Sequence, residues 1–477
     1  MIKEIFTDKK YMSEIMNELP SNCLLNKGVC GCGGTHLELT SKRNSLILVP
    51  HISLALNKAK DEYLIVYGKT TELEIQKYIK SSIKYKKIIG TYDSLPKILD
   101  IFPKVINYFL LIDEYHLLFN IYTFRDKAVL SLLSLYNKFK NYCFMSATPL
   151  NDDIILDEIK HIPKINIIWE KAIPAKIKVI NSTYTNKSLI TLLSESTDCN
   201  YHIFINSLQT IKEIIEKLDT DNYKVVCSDR AKRANKTLII GSTLSPVKKY
   251  NFYTSTAFEG CDIYDEKGKT IILCDTKIST TILDISTLIR QIIGRIRNSI
   301  YKDSATLILN TTKHRYAGIS EEKFKLNVKE NIEIGKYKEF KFNTDSDELY
   351  KQAELRSFSK EAFHSFYVNK IDNKIFYDDN LRKRDEYNYK LIESIYNSSI
   401  SVISEINNNE MVGEEQQSNW IKDKLNDREY SYSELEELFK LEFPIFSGKI
   451  IKDYFPPFTK KRKTKNKIKE MYYQFEL

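Results

Sequence analysis

The chain has 477 residues, of which 42% are hydrophobic and 28% charged, and a formal net charge of +9. That length holds roughly three domains, the composition excludes a disordered or fibrous chain, and the basic excess fits an anionic partner. No apolar run reaches the ~20 residues of a membrane span, Met1-Ile-Lys-Glu-Ile5 lacks the apolar core of a secretory signal, and eight cysteines without paired spacing read as reduced cytosolic thiols.

Residues 1–20 suggest a short amphipathic helix ending at Pro20. Asn22-Cys-Leu-Leu-Asn-Lys27 then reads as a strand, Gly28-Val-Cys-Gly-Cys-Gly-Gly-Thr35 as a glycine-rich turn, and Thr35-His-Leu-Glu-Leu-Thr40 as a helix. In that context backbone N–H groups can close round phosphates, and the helix start adds its positive end. The spacing of Gly28, Gly33 and Thr35 fits such a loop, but Gly34 stands where its lysine belongs. Two readings are open. Either a lysine from elsewhere serves the phosphates, with Lys27 and Lys69 as candidates, or the site is catalytically weak. Cys30 and Cys32 lack the second pair that a zinc site needs.

Asn44-Ser-Leu-Ile-Leu-Val-Pro50-His51 and Lys87-Ile-Ile-Gly-Thr91-Tyr-Asp-Ser94 read as further buried strands. Tyr108-Phe-Leu-Leu-Ile-Asp-Glu-Tyr-His116 is apolar without alternation, as in a strand buried on both faces. It ends in Asp113-Glu114, where open α/β sheets bind ligands. One carboxylate there can hold magnesium through water while the next orients a water for attack on a phosphate. After a helix near Asp126–Phe139 comes another buried strand, Tyr142-Cys-Phe-Met-Ser146-Ala-Thr148-Pro149. Strands alternating with helices predict a doubly wound parallel sheet. A crossing between domains is expected from Pro149 to about Asn181. A second series follows, with strand-like runs at Tyr201–Ser207, Tyr223–Cys227, Leu238–Gly241, Asn251–Ser255 and Lys269–Cys274, and a helix start at Thr287–Arg297.

The ordered set Gly28–Thr35, Val49-Pro50, Gly90-Thr91-Tyr92, Asp113-Glu-Tyr-His116 and Ser146-Ala-Thr148 resembles motifs I, Ia, Ib, II and III of superfamily 2 helicases, with Asp-Glu-Tyr-His similar to the DEAD/DEAH box. In the second series Asn206-Ser207 resembles motif IV, Ser255–Asp262 motif V, and Gln291-x-x-Gly294-Arg295 motif VI. The family's last arginine aligns with Asn298, so Arg297 is offset by one. The resemblance implies two tandem RecA-like domains with ATP between them. Thr35 and Asp113 would hold magnesium and Glu114 would position the attacking water. Arg295 would stabilise charge from across the cleft, assisted by Arg297 or Arg290, and Gln291 would read the γ-phosphate. Nucleotide contacts are implied at Gly28, Gly31, Gly33, Gly34, Thr35, His36, Gly260, Asp262 and Arg297. A helix N-cap is the competing reading for Asp262. Nucleic acid would be touched at Pro50, His51, Thr91, Tyr92, Ser207 and Thr256, while His116, Ser146 and Thr148 would couple that track to the cleft.

The expected organisation is a first RecA-like domain at 1–165, a second at 166–315, a helical accessory region at 316–406, a polar linker at 407–417 and a small helical basic module at 418–477. In the last, Lys460, Lys461, Arg462 and Lys463 open a run of ten residues of which seven are cationic. Such a run can displace counterions from a phosphate backbone while nearby aromatics stack on bases, or it is a solvated tail. The expected function is an ATP- and magnesium-dependent helicase or translocase. Its partner is nucleic acid, DNA before RNA, and its setting replication or repair in a bacterial cytoplasm or infected host cell, of phage or mobile-element type. The alternative is a catalytically weak helicase-like module that scaffolds a replication complex.

Overall fold

Short runs of Leu, Ile, Val and Phe give the chain its two sheets. The computed structural model describes residues 2–351 apart from 172–174, 195–197, 260, 303 and 311–319. Beyond 351 it describes 366–369, 374–378, 383, 386–387, 430–431, 458–465 and 468–475. The first sheet is formed by β1 (Ile2–Thr7), β2 (Cys23–Asn26), β3 (Ser45–Val49), β4 (Tyr63–Val66), β5 (Lys87–Thr91), β6 (Phe109–Asp113), β7 (Asn141–Ser146) and β8 (Lys164–Trp169). Their order is β1-β8-β2-β7-β6-β3-β5-β4, and every pairing is parallel. The second sheet is formed by β9 (Lys176–Asn181), β10 (Asn200–Phe204), β11 (Tyr223–Val226), β12 (Tyr250–Tyr253), β13 (Gly268–Cys274) and β14 (Ser304–Leu309). It is likewise parallel throughout, in the order β11-β12-β10-β13-β14-β9. These are two tandem α/β domains, the architecture that the helicase resemblance implies.

β3, β5 and β6 are buried at every position, because helices cover both faces of a parallel sheet. Alternate residues feed two cores: Leu46, Leu48, Leu110 and Ile112 on one face, and Ile47, Val49, Phe109 and Leu111 on the other. Loop and helix ends therefore collect at the carboxyl edge. There the neighbouring strands β2, β7 and β6 deliver Lys27, Ser146 and Asp113 side by side.

Several expectations change. Residues 2–7 form β1 rather than a helix, because β8, far along the chain, supplies a parallel partner for its backbone. Only Met12–Glu14 makes a helical turn before Pro20. The boundary at 165/166 falls inside β8; the sheets change over between Trp169 and Lys176. The strand read at Leu238–Gly241 is reduced to a single bridge, Val225 to Ile240. In the accessory region a 24-residue helix, Glu321–Thr344, packs Phe342 against a hairpin of β15 (Phe366–Asn369) and β16 (Lys374–Tyr377). The helical reading at Ser346–Lys360 is described only to Lys351, and the linker 407–417 lies outside the described residues.

The described parts of 418–477 are strands, not helices. β17 (Tyr430–Ser431), β18 (Phe458–Lys465) and β19 (Ile468–Phe475) form an antiparallel sheet in the order β17-β19-β18. Thr459, Thr464, Ile468, Tyr472, Tyr473 and Phe475 are strand-favouring types that outweigh the helix tendency of the lysines. No helix among the described residues is long and apolar enough to cross a membrane.

The helix that follows the glycine loop, α1 (Gly34–Thr40), is fixed at its far end by a buried carboxylate. Glu38 is 0% exposed; it pairs with Arg43, accepts from Ser41 and Ser45, and lies near Lys87. The Arg43 guanidinium also stacks over Phe109 at 3.4 Å. Replacing Glu38 by Ala removes the counter-charge of the buried Lys87 and leaves the half-buried Arg43 with Glu18 alone. The expected cost is about 3–5 kcal/mol of first-domain stability, read by urea unfolding; a loss below about 1 kcal/mol would show that the cluster does not anchor α1.

Candidate active site

Three glycines shape the loop after β2. Gly28, Gly31 and Gly33 have φ of 73°, 81° and 87°, which L side chains rarely adopt. The loop is pinned at its start: Lys27 N donates to Ser146 O at 2.8 Å, Gly28 N to Asn26 Oδ1 at 2.9 Å, and Trp169 Nε1 to Lys27 O at 2.7 Å. A Cβ on Gly28 would lie 2.6 Å from Ile167 O, and one on Gly31 would lie 2.3 Å from Arg297 Nη1. Thr35, in the first turn of α1, donates its hydroxyl to Asp113 Oδ2 at 2.7 Å. His36 is exposed.

Asp113 closes β6, and Glu114 follows with φ of 54°, a conformation unusual for a residue with a side chain. The fully buried Tyr92 holds this turn, its hydroxyl donating to Asp113 O at 2.6 Å and to Glu114 O at 3.2 Å. Both carboxylates are buried. Lys27 Nζ lies 3.1 Å from Glu114 Oε1 and 3.6 Å from Asp113 Oδ1. Burial alone would raise the Glu114 pKa; the charges of Lys27, His116 and Arg295 outweigh it and hold the carboxyl below its ordinary value. Lys69, the other candidate lysine, is exposed beyond β4, five strands from β2. At ~4.8 Å per strand that is about 24 Å away.

The second domain closes over this turn. Gln291 Nε2 donates to Glu114 Oε2 at 3.2 Å and to Thr148 Oγ1 at 3.1 Å, while its Oε1 accepts from Arg295 Nη2 at 3.0 Å and from Cys30 Sγ at 3.3 Å. Arg295 is buried, fixed by Gln291 O and Cys261 O, and separated from Glu114 by the one intervening side chain of Gln291. Arg297 lies over Gly31 and grips Asp262 Oδ1 through Nε at 2.7 Å and Nη2 at 2.6 Å. No helix starts at Asp262, so the N-cap reading does not hold. Gly260 lies outside the described residues. Arg290 is exposed.

His116, Ser146 and Thr148 lie together. His116 Nδ1 and Ser146 Oγ are 2.9 Å apart, and Thr148 N donates to Ser146 Oγ at 3.0 Å. The sequence reading missed the fourth member. Glu259, from the second domain, places Oε1 3.1 Å from His116 Nε2. Its signal was an acid inside the Ser255–Asp262 run, which carried no assigned role.

The residues expected to touch nucleic acid do not gather on one open face. Tyr92 supports the acidic turn from within the core, so it is no surface contact. Thr91 is buried and bonded to Ser94 at 2.9 Å. Pro50 is buried, with its carbonyl accepting from Arg125 at 2.6 Å. His51 is pushed down to about 4 by burial and the Arg125 charge, so it is neutral at physiological pH. Ser207 N-caps the helix Leu208–Leu218. Thr256 sits at the seam between domains, its carbonyl accepting from Ser53 Oγ at 3.2 Å. Lys460, Lys461, Arg462 and Lys463 lie along β18, in register with Tyr473, Tyr472, Met471 and Glu470 of β19.

No protein-family profile and no curated protein sequence matches the chain. Solved structures similar to it include the Mycobacterium smegmatis helicase Lhr bound to single-stranded DNA and AMP-PNP, at 11% identity and a TM-score of 0.41, covering 76% of this chain and 58% of that one. S. cerevisiae Dbp5 bound to RNA and ADP BeF3 is similar at 13% identity and a TM-score of 0.43, covering 64% and 83%. The DEAD-box helicase Mss116 bound to single-stranded RNA and UDP-BeF is similar at 12% identity and a TM-score of 0.40, covering 63% and 68%. The chain thus spans little more than half of Lhr.

The His116–Glu259 pair gives domain closure a pH dependence. Burial would lower the His116 pKa, but the charge and hydrogen bond of Glu259, with the charge of Glu114, hold it raised. The stabilisation is then complete below the ordinary histidine value of about 6.5 and is lost as pH rises through the raised value. Small-angle scattering is expected to show the wild-type chain opening across that rise, with Glu259→Gln flattening the transition. Identical profiles for the two proteins would contradict it.

Proposed function

We propose that this chain is a nucleic-acid-dependent ATP hydrolase, a helicase or translocase acting on DNA in replication or repair. One observation carries the reading: the glycine loop and Asp113-Glu114 of one domain and Gln291-Arg295 of the other form a single buried constellation. The residues present fit a magnesium–triphosphate. The three left-handed glycines leave a cradle free of Cβ atoms, and the Thr35 hydroxyl and Asp113 carboxylate, 2.7 Å apart, are hard oxygen donors that can share one cation. When bound, magnesium supplies charge neutralisation to the phosphoryl oxygens.

Glu114, kept ionised by its cationic neighbours, accepts a hydrogen bond from the attacking water and aligns it. Arg295 provides positive charge where negative charge builds up in transfer. Because Arg295 arrives from the second domain through Gln291, hydrolysis depends on closure. His116, linked to Glu114, Ser146 and Glu259, connects that closure to the domain seam. The preference for DNA rests on the form of Gly90–Leu95 and of motif VI.

ATP turnover with and without single-stranded DNA or RNA tests this reading. The wild type is expected to be stimulated more by DNA, and Glu114→Gln to lose roughly 10²–10⁴-fold in kcat, the usual weight of a positioned general base. Wild-type turnover no higher than that of Glu114→Gln would favour the non-hydrolysing scaffold, the reading that Gly34 supports. For the basic strands, removal of 458–475 is expected to lower DNA affinity and flatten its salt dependence. Unchanged binding would dismiss them as a DNA contact.

A further inference from the structure

A phosphate loop of this form carries a lysine at position 34, and here the space beside Gly34 is filled. A Cβ there would lie 2.6 Å from Met145 Sδ and 3.2 Å from Met12 Sδ, so any side chain would have to displace Met145. Both methionines are fully buried. The pocket that a lysine stem would enter is thus closed by packing.

A cation nonetheless stands in the site, and it enters from the other end of the loop. Lys27 directly precedes Gly28, and its backbone is fixed on both sides, by Ser146 O and by the Trp169 indole. Its Nζ lies within 3.1 Å of Glu114 and 3.6 Å of Asp113, on a residue only 6% exposed. Among the described residues no other lysine or arginine pairs with either acid. Arg297 is engaged with Asp262, and Arg295 with Gln291 and Cys261.

We infer that Lys27, reaching in from the strand side of the loop, is the phosphate-contacting cation that position 34 lacks. This rests on the nucleotide reading above. An ammonium has three donors; here one is bonded to Glu114 and a second faces Asp113 at 3.6 Å, which leaves one for a phosphate oxygen at the loop. The competing role is purely structural. Two adjacent buried carboxylates need a counter-charge, and Lys27 would then serve the fold without serving nucleotide.

The test separates these roles by removing one charge of each sign. Binding of ATP, ADP and AMP to the full chain is measured by calorimetry with magnesium present, for wild type, Glu114→Gln and the double variant Lys27→Met/Glu114→Gln. The double variant spares the site an unpaired Glu114 charge, and its folding is checked by thermal unfolding. Glu114→Gln is expected to prefer ATP over AMP, and the double variant to lose roughly tenfold to a hundredfold of that preference, the weight of a charge-assisted contact. Equal preference in the two variants would overturn the role of Lys27 and leave the nucleotide reading intact. Failure of both wild type and Glu114→Gln to bind ATP would overturn the two together.

Discussion

Two neighbouring carboxylates at the end of β6 are buried, and much of the site follows from that burial. Taking adjacent negative charges out of water costs several kcal/mol apiece unless cations and hydrogen-bond donors face them. The first domain supplies Lys27, the Thr35 hydroxyl and the Tyr92 hydroxyl on the turn's carbonyls. The second supplies Gln291, backed by Arg295. Asp113 finds its partners within the first domain, whereas Glu114 Oε2 takes a hydrogen bond from Gln291 of the second. That hydrogen bond to a buried, charged acceptor favours closure, and the groups it brings together are those that the proposed phosphoryl transfer would use.

The same logic explains the strain. Glu114 sits in a left-handed conformation that costs about 1–3 kcal/mol for a residue with a side chain. Tyr92, buried beneath the turn, holds both carbonyls and keeps it there. On the opposite side, Gly31 permits the close approach of Arg297, where a Cβ would collide with the guanidinium. The loop and Arg297 are thus fitted to each other through the absence of a side chain.

Both sheets and the order of their motifs were legible in the sequence, because parallel strands buried on two faces leave uninterrupted apolar runs and their carboxyl ends collect polar residues. Asp113 and Glu114 were singled out this way, Thr35 by the spacing of the glycine loop, and Gln291 and Arg295 by a motif resemblance. What escaped were features set by partners distant in sequence. β1 exists because β8 offers it an edge. Glu259 acquires meaning only when His116 is placed opposite. Thr91 and Tyr92 looked like surface contacts, yet they point inward, since a strand end does not reveal which residues the next turn buries. Lys27 and Lys69 could not be separated by spacing alone; the four strands that lie between β2 and β4 separate them.

Arg295 is the sharpest probe of the proposed catalytic cleft built from both domains. Steady-state ATP turnover of Arg295→Ala, in a folded protein with DNA present, should show kcat reduced about 10³-fold or more, with KM for ATP much less affected. A variant whose kcat stays within about tenfold of wild type, an effect of ~1.4 kcal/mol, would contradict a shared cleft and leave hydrolysis to the first domain alone.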